Sequence, residues 1–245
     1  MKVIKFNKMR GVIFISLFLN FVLLVLLFIS EYKGRTFSKA IERRGLITIE
    51  SQSLPDYWAL KGWTNTLKKL RIEADIAFFG NSITAGSDFQ AEFPDKKIVN
   101  LGYPGDNIKG MLRRVPMLSA VNPKKIFLMA GTNDLVHVSL EEYTSRYTQL
   151  INSIKDSIPN AKIYIESVLP SNHEMGDYAP NSKVQQANLI LKNLSKTYNC
   201  IFIDIYHLYV NSKNELYPEY TRDGVHLFPY HYDKWASEIK PYIYE

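Results

Sequence analysis

One cysteine in 245 residues rules out an intrachain disulfide and a cysteine-built metal cluster. That residue, Cys200, stands in the apolar run CIFIDI with no neighbour that would lower its pKa, so it reads as a packed structural thiol. Internal repeats and low-complexity tracts are missing, and the 12 glycines and 11 prolines are scattered, which excludes fibrous and disordered classes. Also missing is a charge excess on the body of the chain. The formal net charge is +6, but residues 1–44 hold nine Lys and Arg against two acids, leaving 21 bases and 22 acids for residues 45–245. A groove that neutralises phosphates needs its excess on the folded domain, so nucleic acid is not an expected partner. No histidine pair shows ligand spacing with a carboxylate, and neither a metal nor an organic cofactor is expected.

Long hydrophobic runs are equally scarce. The one present, VIFISLFLNFVLLVLLFI from Val12 to Ile29, carries no charge and at about 1.5 Å per residue nearly spans a hydrocarbon core. Glu31, Tyr32 and Lys33 follow it instead of the small residues of a cleavage site, which favours an uncleaved transmembrane helix over a cleaved signal peptide. Lys2, Lys5, Lys8 and Arg10 precede it on a short tail free of acids, which points to a cytoplasmic N-terminus and an extracytoplasmic globule. The expected organisation is a basic tail over 1–11, a membrane anchor over 12–30, a polar stalk over 31–55 and one domain over 56–245.

Within that domain short apolar runs alternate with longer amphipathic ones. Strands are predicted near Ala74–Phe79, Lys97–Leu101, Lys125–Met129, Lys162–Val168 and Ile201–Ile205, and helices near Tyr57–Leu70, Asn107–Ser119, Leu140–Ser157, Lys183–Tyr198 and Pro229–Lys240. Ser139 and Glu142 form a capping-box pattern. Alternation at this spacing, with near-continuous apolar strands, implies an α/β fold: a parallel five-stranded sheet covered on both faces, with its site at the carboxyl ends of the strands.

Three of those strands run into polar, glycine-containing turns. In FFGNSIT, Gly80 lets the chain turn so that Ser82 stands at a helix start, as a cap or as a nucleophile. In NLGYPGDN and AGTND, Gly102 offers a backbone N–H and Asn133 an amide NH2, which with the Ser82 N–H make three donors for one oxyanion. In RDGVHL, the spacing of three lets Asp223 hold one imidazole nitrogen of His226 while the other points at Ser82, the arrangement of acyl transfer.

GNSIT, the glycine of NLGYPGDN, GTND and DGVHL resemble blocks I, II, III and V of the SGNH hydrolases, also called GDSL-like esterases, over about residues 74–240. The resemblance implies a flavodoxin-like three-layer α/β/α sandwich. It also implies Ser82 as nucleophile, His226 as base, Asp223 behind it, and Ser82, Gly102 and Asn133 as oxyanion donors. Two departures stand out: Asn81 where the family usually has Asp, and Phe228 where many relatives carry a capping Thr or Asn.

Asn81 and His137 are candidate substrate contacts, and His173 lies in a loop placed to cover the site; His207 and His231 read as surface or helix-end residues. Nine of the sixteen tyrosines fall between Tyr198 and Tyr244, where stacking on a sugar competes with plain packing. The expected activity is hydrolysis of small acyl esters, acetyl above all, on a small molecule or a glycan. A lysophospholipase- or thioesterase-type acylhydrolase, or a tethered glycan-binding module without turnover, are the competing readings.

Overall fold

The computed structural model describes residues 57–245; the expected tail (1–11), membrane anchor (12–30) and stalk (31–55) lie outside the described residues. Among the described residues no helix is long and apolar enough to cross a membrane. The elements run α1 (Tyr57–Leu70), β1 (Ile76–Gly80), α2 (Ser82–Ala85), α3 (Phe89–Glu92), β2 (Ile98–Gly102), α4 (Ile108–Val121), β3 (Lys125–Met129), α5 (Leu140–Ser157), β4 (Lys162–Glu166), α6 (Asn181–Thr197), β5 (Ile201–Ile203) and α7 (Tyr232–Tyr244). The five strands pair in parallel in the order β2-β1-β3-β4-β5, with Ile76 opposite both Ile98 and Lys125.

Side chains of a strand alternate between faces, and here both faces are buried. Ala77, Phe79, Ile126, Leu128, Ile163 and Ile165 enter one core with residues of α4, α5 and α6. Ile76, Phe78, Phe127, Met129, Tyr164 and Ile203 enter the other, under α3 and α7. The first core is mainly aliphatic. The second is built around an aromatic row, Phe89, Phe78, Phe127 and Tyr164, with successive ring centroids 4.2, 4.8 and 4.6 Å apart. Each such side chain contributes about 1.5–3 kcal/mol on burial, so removing one ring also breaks the row.

The sequence pattern places five strands and five long helices, and the structure has them; the differences are at the ends. α7 begins later because Pro229–His231 forms a 3-10 turn. It also runs past Lys240 to Tyr244, where the Lys125 ammonium takes the carbonyls of Tyr242, Ile243 and Glu245 and satisfies orphan acceptors. Only half of the capping box forms: Ser139 Oγ accepts the Glu142 N–H at 3.1 Å, while the Glu142 carboxylate pairs with Arg146. The two four-residue helices, α2 and α3, are too short to leave a periodic signal. Cys200 is half-buried against the first core, and burial raises its thiol pKa.

The chain leaves β1 toward β2 on one side and returns across the sheet to β3 on the other. The carboxyl ends of β1 and β3 therefore flank the crevice at which the strand order reverses.

Candidate active site

Ser82 opens α2 directly after β1, half-buried, and its N–H is among the donors that a helix start leaves without an intrahelical partner. The preceding residue, a candidate substrate contact in the sequence, turns its side chain inward in the structure. Asn81 is 1% exposed and accepts the Ile83 N–H on Oδ1 at 2.9 Å, so it caps the helix and orients the serine from beneath; its Nδ2 has no partner among the described residues.

From 144 residues further along the chain, His226 brings Nε2 to 2.8 Å from Ser82 Oγ, and its Nδ1 lies 2.8 Å from Asp223 Oδ2. An ionised carboxylate only accepts, so the imidazole proton belongs on Nδ1 and leaves the Nε2 lone pair facing the hydroxyl. Burial pulls the Asp223 carboxyl pKa upward, but the hydrogen bonds from the His226 N–H, the His226 ring and the Val225 N–H outweigh it and hold it at about 2. The loop carrying both residues is closed by an antiparallel bridge between Thr221 and Leu227. It is tethered to the segment after β4 by the Tyr178 hydroxyl, which donates to the Asp223 carbonyl, and by the Asn172 N–H, which donates to the Gly224 carbonyl at 2.8 Å.

The other wall is formed by the turns after β2 and β3. Gly102 packs so closely on α2 that a Cβ there would lie 2.3 Å from the Ala85 nitrogen. Its N–H, expected to face a developing oxyanion, is bonded to Asn100 Oδ1 at 2.8 Å: an Asn two residues back closes on it in an Asx turn, so this donor is occupied in the present state. Gly131 reaches Asn133 through a φ of +134°, which favours glycine, and a Cβ there would lie 2.7 Å from the Tyr143 hydroxyl. Asn133 Nδ2 donates to the Asp106 carbonyl at 2.7 Å, which fixes the amide plane and leaves its second N–H to point elsewhere.

Two residues absent from the sequence reading underlie this wall. Arg114 and Asp106 form a fully buried ion pair, Nε to Oδ2 2.7 Å, in which burial drives the carboxyl pKa up and the guanidinium pKa down while their attraction opposes both shifts. The available signal was an arginine on the apolar stripe of α4, flanked by Met111, Val115 and Leu118, eight residues after an aspartate.

The remaining histidines are dispersed. His137 is half-buried in the turn after Asn133, with its N–H on the Asp134 carbonyl. His173 is held in the loop after β4 by Glu215, 3.0 Å from Nδ1, and by the Ala179 carbonyl. His207 is exposed, and His231 packs at a tilt of 39° against Tyr220 with centroids 4.1 Å apart. Among the described residues no group of three or more His, Cys, Asp or Glu could hold a metal ion.

A search of curated proteins yields no match. Among solved structures, a protein of Streptococcus pneumonia provisionally described as a platelet activating factor is 27% identical, with a TM-score of 0.67 over 76% of this chain and 92% of its own. A GDSL-like lipase from Bacteroides thetaiotaomicron is 24% identical, with a TM-score of 0.64 over 77% and 98%. A variant of an acetyl-xylooligosaccharide esterase from Geobacillus Stearmophilus is 20% identical, with a TM-score of 0.56 over 69% and 94%. The model of the GDSL-like Lipase/Acylhydrolase family matches residues 78–233. That span begins within β1, takes in all four turns around the Ser82 hydroxyl and ends in α7; the chain therefore belongs to the GDSL-like lipase/acylhydrolase family and is an ester-hydrolysing enzyme.

Proposed function

We propose that this is a serine esterase that removes small acyl groups, acetyl above all, from carbohydrate, and that an anchor over residues 12–30 holds it to a membrane with the domain outside. The single observation that carries the catalytic reading is the unbroken line from Asp223 through His226 to Ser82, with both links 2.8 Å. In this mechanism His226 Nε2 takes the hydroxyl proton as Ser82 Oγ attacks the ester carbonyl, and the carbonyl oxygen becomes an oxyanion. The Ser82 N–H and the free N–H of Asn133 receive it, and Gly102 joins when its N–H exchanges Asn100 for the oxyanion. The bond to the alcohol breaks, and the alcohol leaves with the proton from His226. Water, deprotonated by the same imidazole, then attacks the acyl-enzyme; the acid departs and Ser82 regains its hydrogen. His137, beside Asn133, is proposed to contact the bound ester.

Carbohydrate is favoured by the rings that continue from the His226 loop. Phe228 and Tyr230 are nearly parallel, at 5° with centroids 5.6 Å apart; Tyr230 is 65% exposed, and the row continues through His231 to Tyr220. Aromatic rings with an exposed face, as at Tyr230, suit the apolar faces of sugar rings, and the fold shared with an acetyl-xylooligosaccharide esterase agrees with this reading.

The test is hydrolysis of chromogenic esters of two, eight and twelve acyl carbons by the full chain, beside Ser82→Ala. Fast turnover of the acetate, slow turnover of the longer chains and loss of activity in Ser82→Ala are expected. Preference for the long chains would point to a lipid-type substrate, and equal rates with and without the hydroxyl would point to a binding module.

A further inference from the structure

Burying a guanidinium carries a desolvation penalty that an ion pair repays only with good geometry and full hydrogen bonding, and a methionine or leucine would fill the same place on α4 without that penalty. Arg114 is nevertheless 2% exposed, and every contact it makes lies under the wall of donors. Its Nε reaches Asp106 Oδ2 at 2.7 Å, Nη1 the Leu101 carbonyl at 2.7 Å, and Nη2 the Gly80 carbonyl at 3.0 Å. The planar group also lies against the ring of Phe79, 4.7 Å from its centroid.

Those three partners lie at the end of β1, at the end of β2 and in the loop that leads from β2 to α4. Gly80 stands two residues before Ser82, and Leu101 directly precedes Gly102. Asp106 offers its own carbonyl to Asn133 Nδ2 at 2.7 Å. Strand pairing fixes the ends of β1 and β2 relative to each other, but Asp106 lies in the loop before α4, beyond the last paired residue of β2. Among the described residues the guanidinium is the one side chain whose hydrogen bonds tie that loop to both strand ends.

We infer that Arg114 is a positioning residue that sets the spacing of the oxyanion donors, acting on Asn133 through Asp106. The inference rests on the reading of Ser82 as nucleophile. It differs from a packing role in where the cost of substitution falls. Loose packing lowers the amount or stability of folded enzyme, whereas misplaced donors weaken binding of the tetrahedral state and leave the ground state nearly untouched.

The experiment uses the full chain and counts active sites with a fluorophosphonate on Ser82. Arg114→Lys keeps the charge but replaces a planar fork by a point donor that cannot serve Asp106, Leu101 and Gly80 together. Expected is a fall in kcat per active site of about 10- to 100-fold, short of the roughly 100- to 1,000-fold cost of a lost donor, with KM for the acetate ester moving less than about threefold. Affinity for a trifluoromethyl ketone, which forms an oxyanion on Ser82, should fall by the same factor as kcat/KM. In an Asn133→Ala background the same substitution should cost only about a few fold, because the two changes act on one donor.

An unchanged kcat per site, or an equal loss in both backgrounds with unchanged ketone affinity, would overturn the inference. If Arg114→Lys does not fold, Asp106→Asn carries the same cycle, since it removes the ion pair and keeps the backbone carbonyl. Hydrolysis that persists in Ser82→Ala sinks the esterase reading itself. Hydrolysis lost in Ser82→Ala but untouched in Arg114→Lys sinks only this inference.

Discussion

The two walls that meet at the Ser82 hydroxyl are built on different physical terms. On the donor side, the turns after β1, β2 and β3 emerge from a sheet buried on both faces, and an ion pair with no solvent exposure to speak of ties them from below. On the base side, His226 and Asp223 stand on a half-buried loop that belongs to no strand or helix, closed by one bridge and tethered by Tyr178 and Asn172. Donors must be in place before charge develops, because any reorganisation at that moment raises the barrier; a buried frame supplies that. In the proposed mechanism the imidazole first takes and then returns a proton, which needs correct orientation and a tautomer, and a carboxylate with two backbone donors would supply those.

The strongest way to break the comparison is on the base side. Asp223 Oδ1 accepts the N–H groups of Val225 and His226 while Oδ2 faces His226 Nδ1. In Asp223→Asn the two backbone donors hold the amide oxygen at the Oδ1 place and turn the NH2 toward Nδ1. The ring proton is then forced onto Nε2, where it faces Ser82 and cannot accept. A loss in kcat on the order of 10⁴-fold is expected, with folding intact and a nearly normal KM. Turnover within tenfold of the parent, measured on the acetate ester, would mean that the carboxylate does not set the tautomer.

On the donor side the expected loss is smaller, because several donors share one charge. Asn133→Ala should lower kcat by roughly 100- to 1,000-fold and change KM little. An unchanged kcat would remove Asn133 from the oxyanion site. The two losses together test whether the walls act separately: the side chains are fixed by different partners, yet in the proposed mechanism both serve the same tetrahedral state, so the double variant should lose less than the product of the two.

The same contrast explains what the sequence makes legible. Short, near-continuous apolar strands, three of them running into glycine-containing turns, reveal the sheet and three of the four turns, because apolar runs and sharp turns are local properties of the chain. The Asp223 to His226 spacing is local as well. Arg114 is hidden for the opposite reason: a charged residue beside Arg113 reads as solvated until the fold brings Gly80, Leu101 and Asp106 around it. The capping role of Asn81 is not legible either, because a polar residue next to a serine turn does not show from spacing alone that its Oδ1 takes the Ile83 N–H. The Gly102 N–H is claimed by Asn100, a choice between two acceptors that spacing alone does not decide.

A buried carboxyl outside both walls provides the mildest test, one in which stability should move and turnover should not. Glu166 ends β4 with no exposure, and Oε1 accepts the Trp235 indole N–H at 2.7 Å. Burial raises its pKa from an ordinary 4.5 to about 8, against the indole bond, which favours the charged form. The unfolded chain therefore loses this proton above about pH 4.5 while the folded chain keeps it to about pH 8. Across that window the unfolded state binds fewer protons, so stability falls as pH rises, and the contribution is whole only below the unfolded value. Glu166→Gln keeps the acceptor for Trp235 and has no proton to lose. Its melting temperature should match the parent near pH 5, exceed it by several degrees at pH 8, and gain nothing further above that, with kcat unchanged throughout. A difference of equal size at pH 5 and pH 8 would show that Glu166 is already ionised in the folded enzyme. A change in kcat would show that the donor wall extends beneath β4, further than the contacts of Arg114 reach.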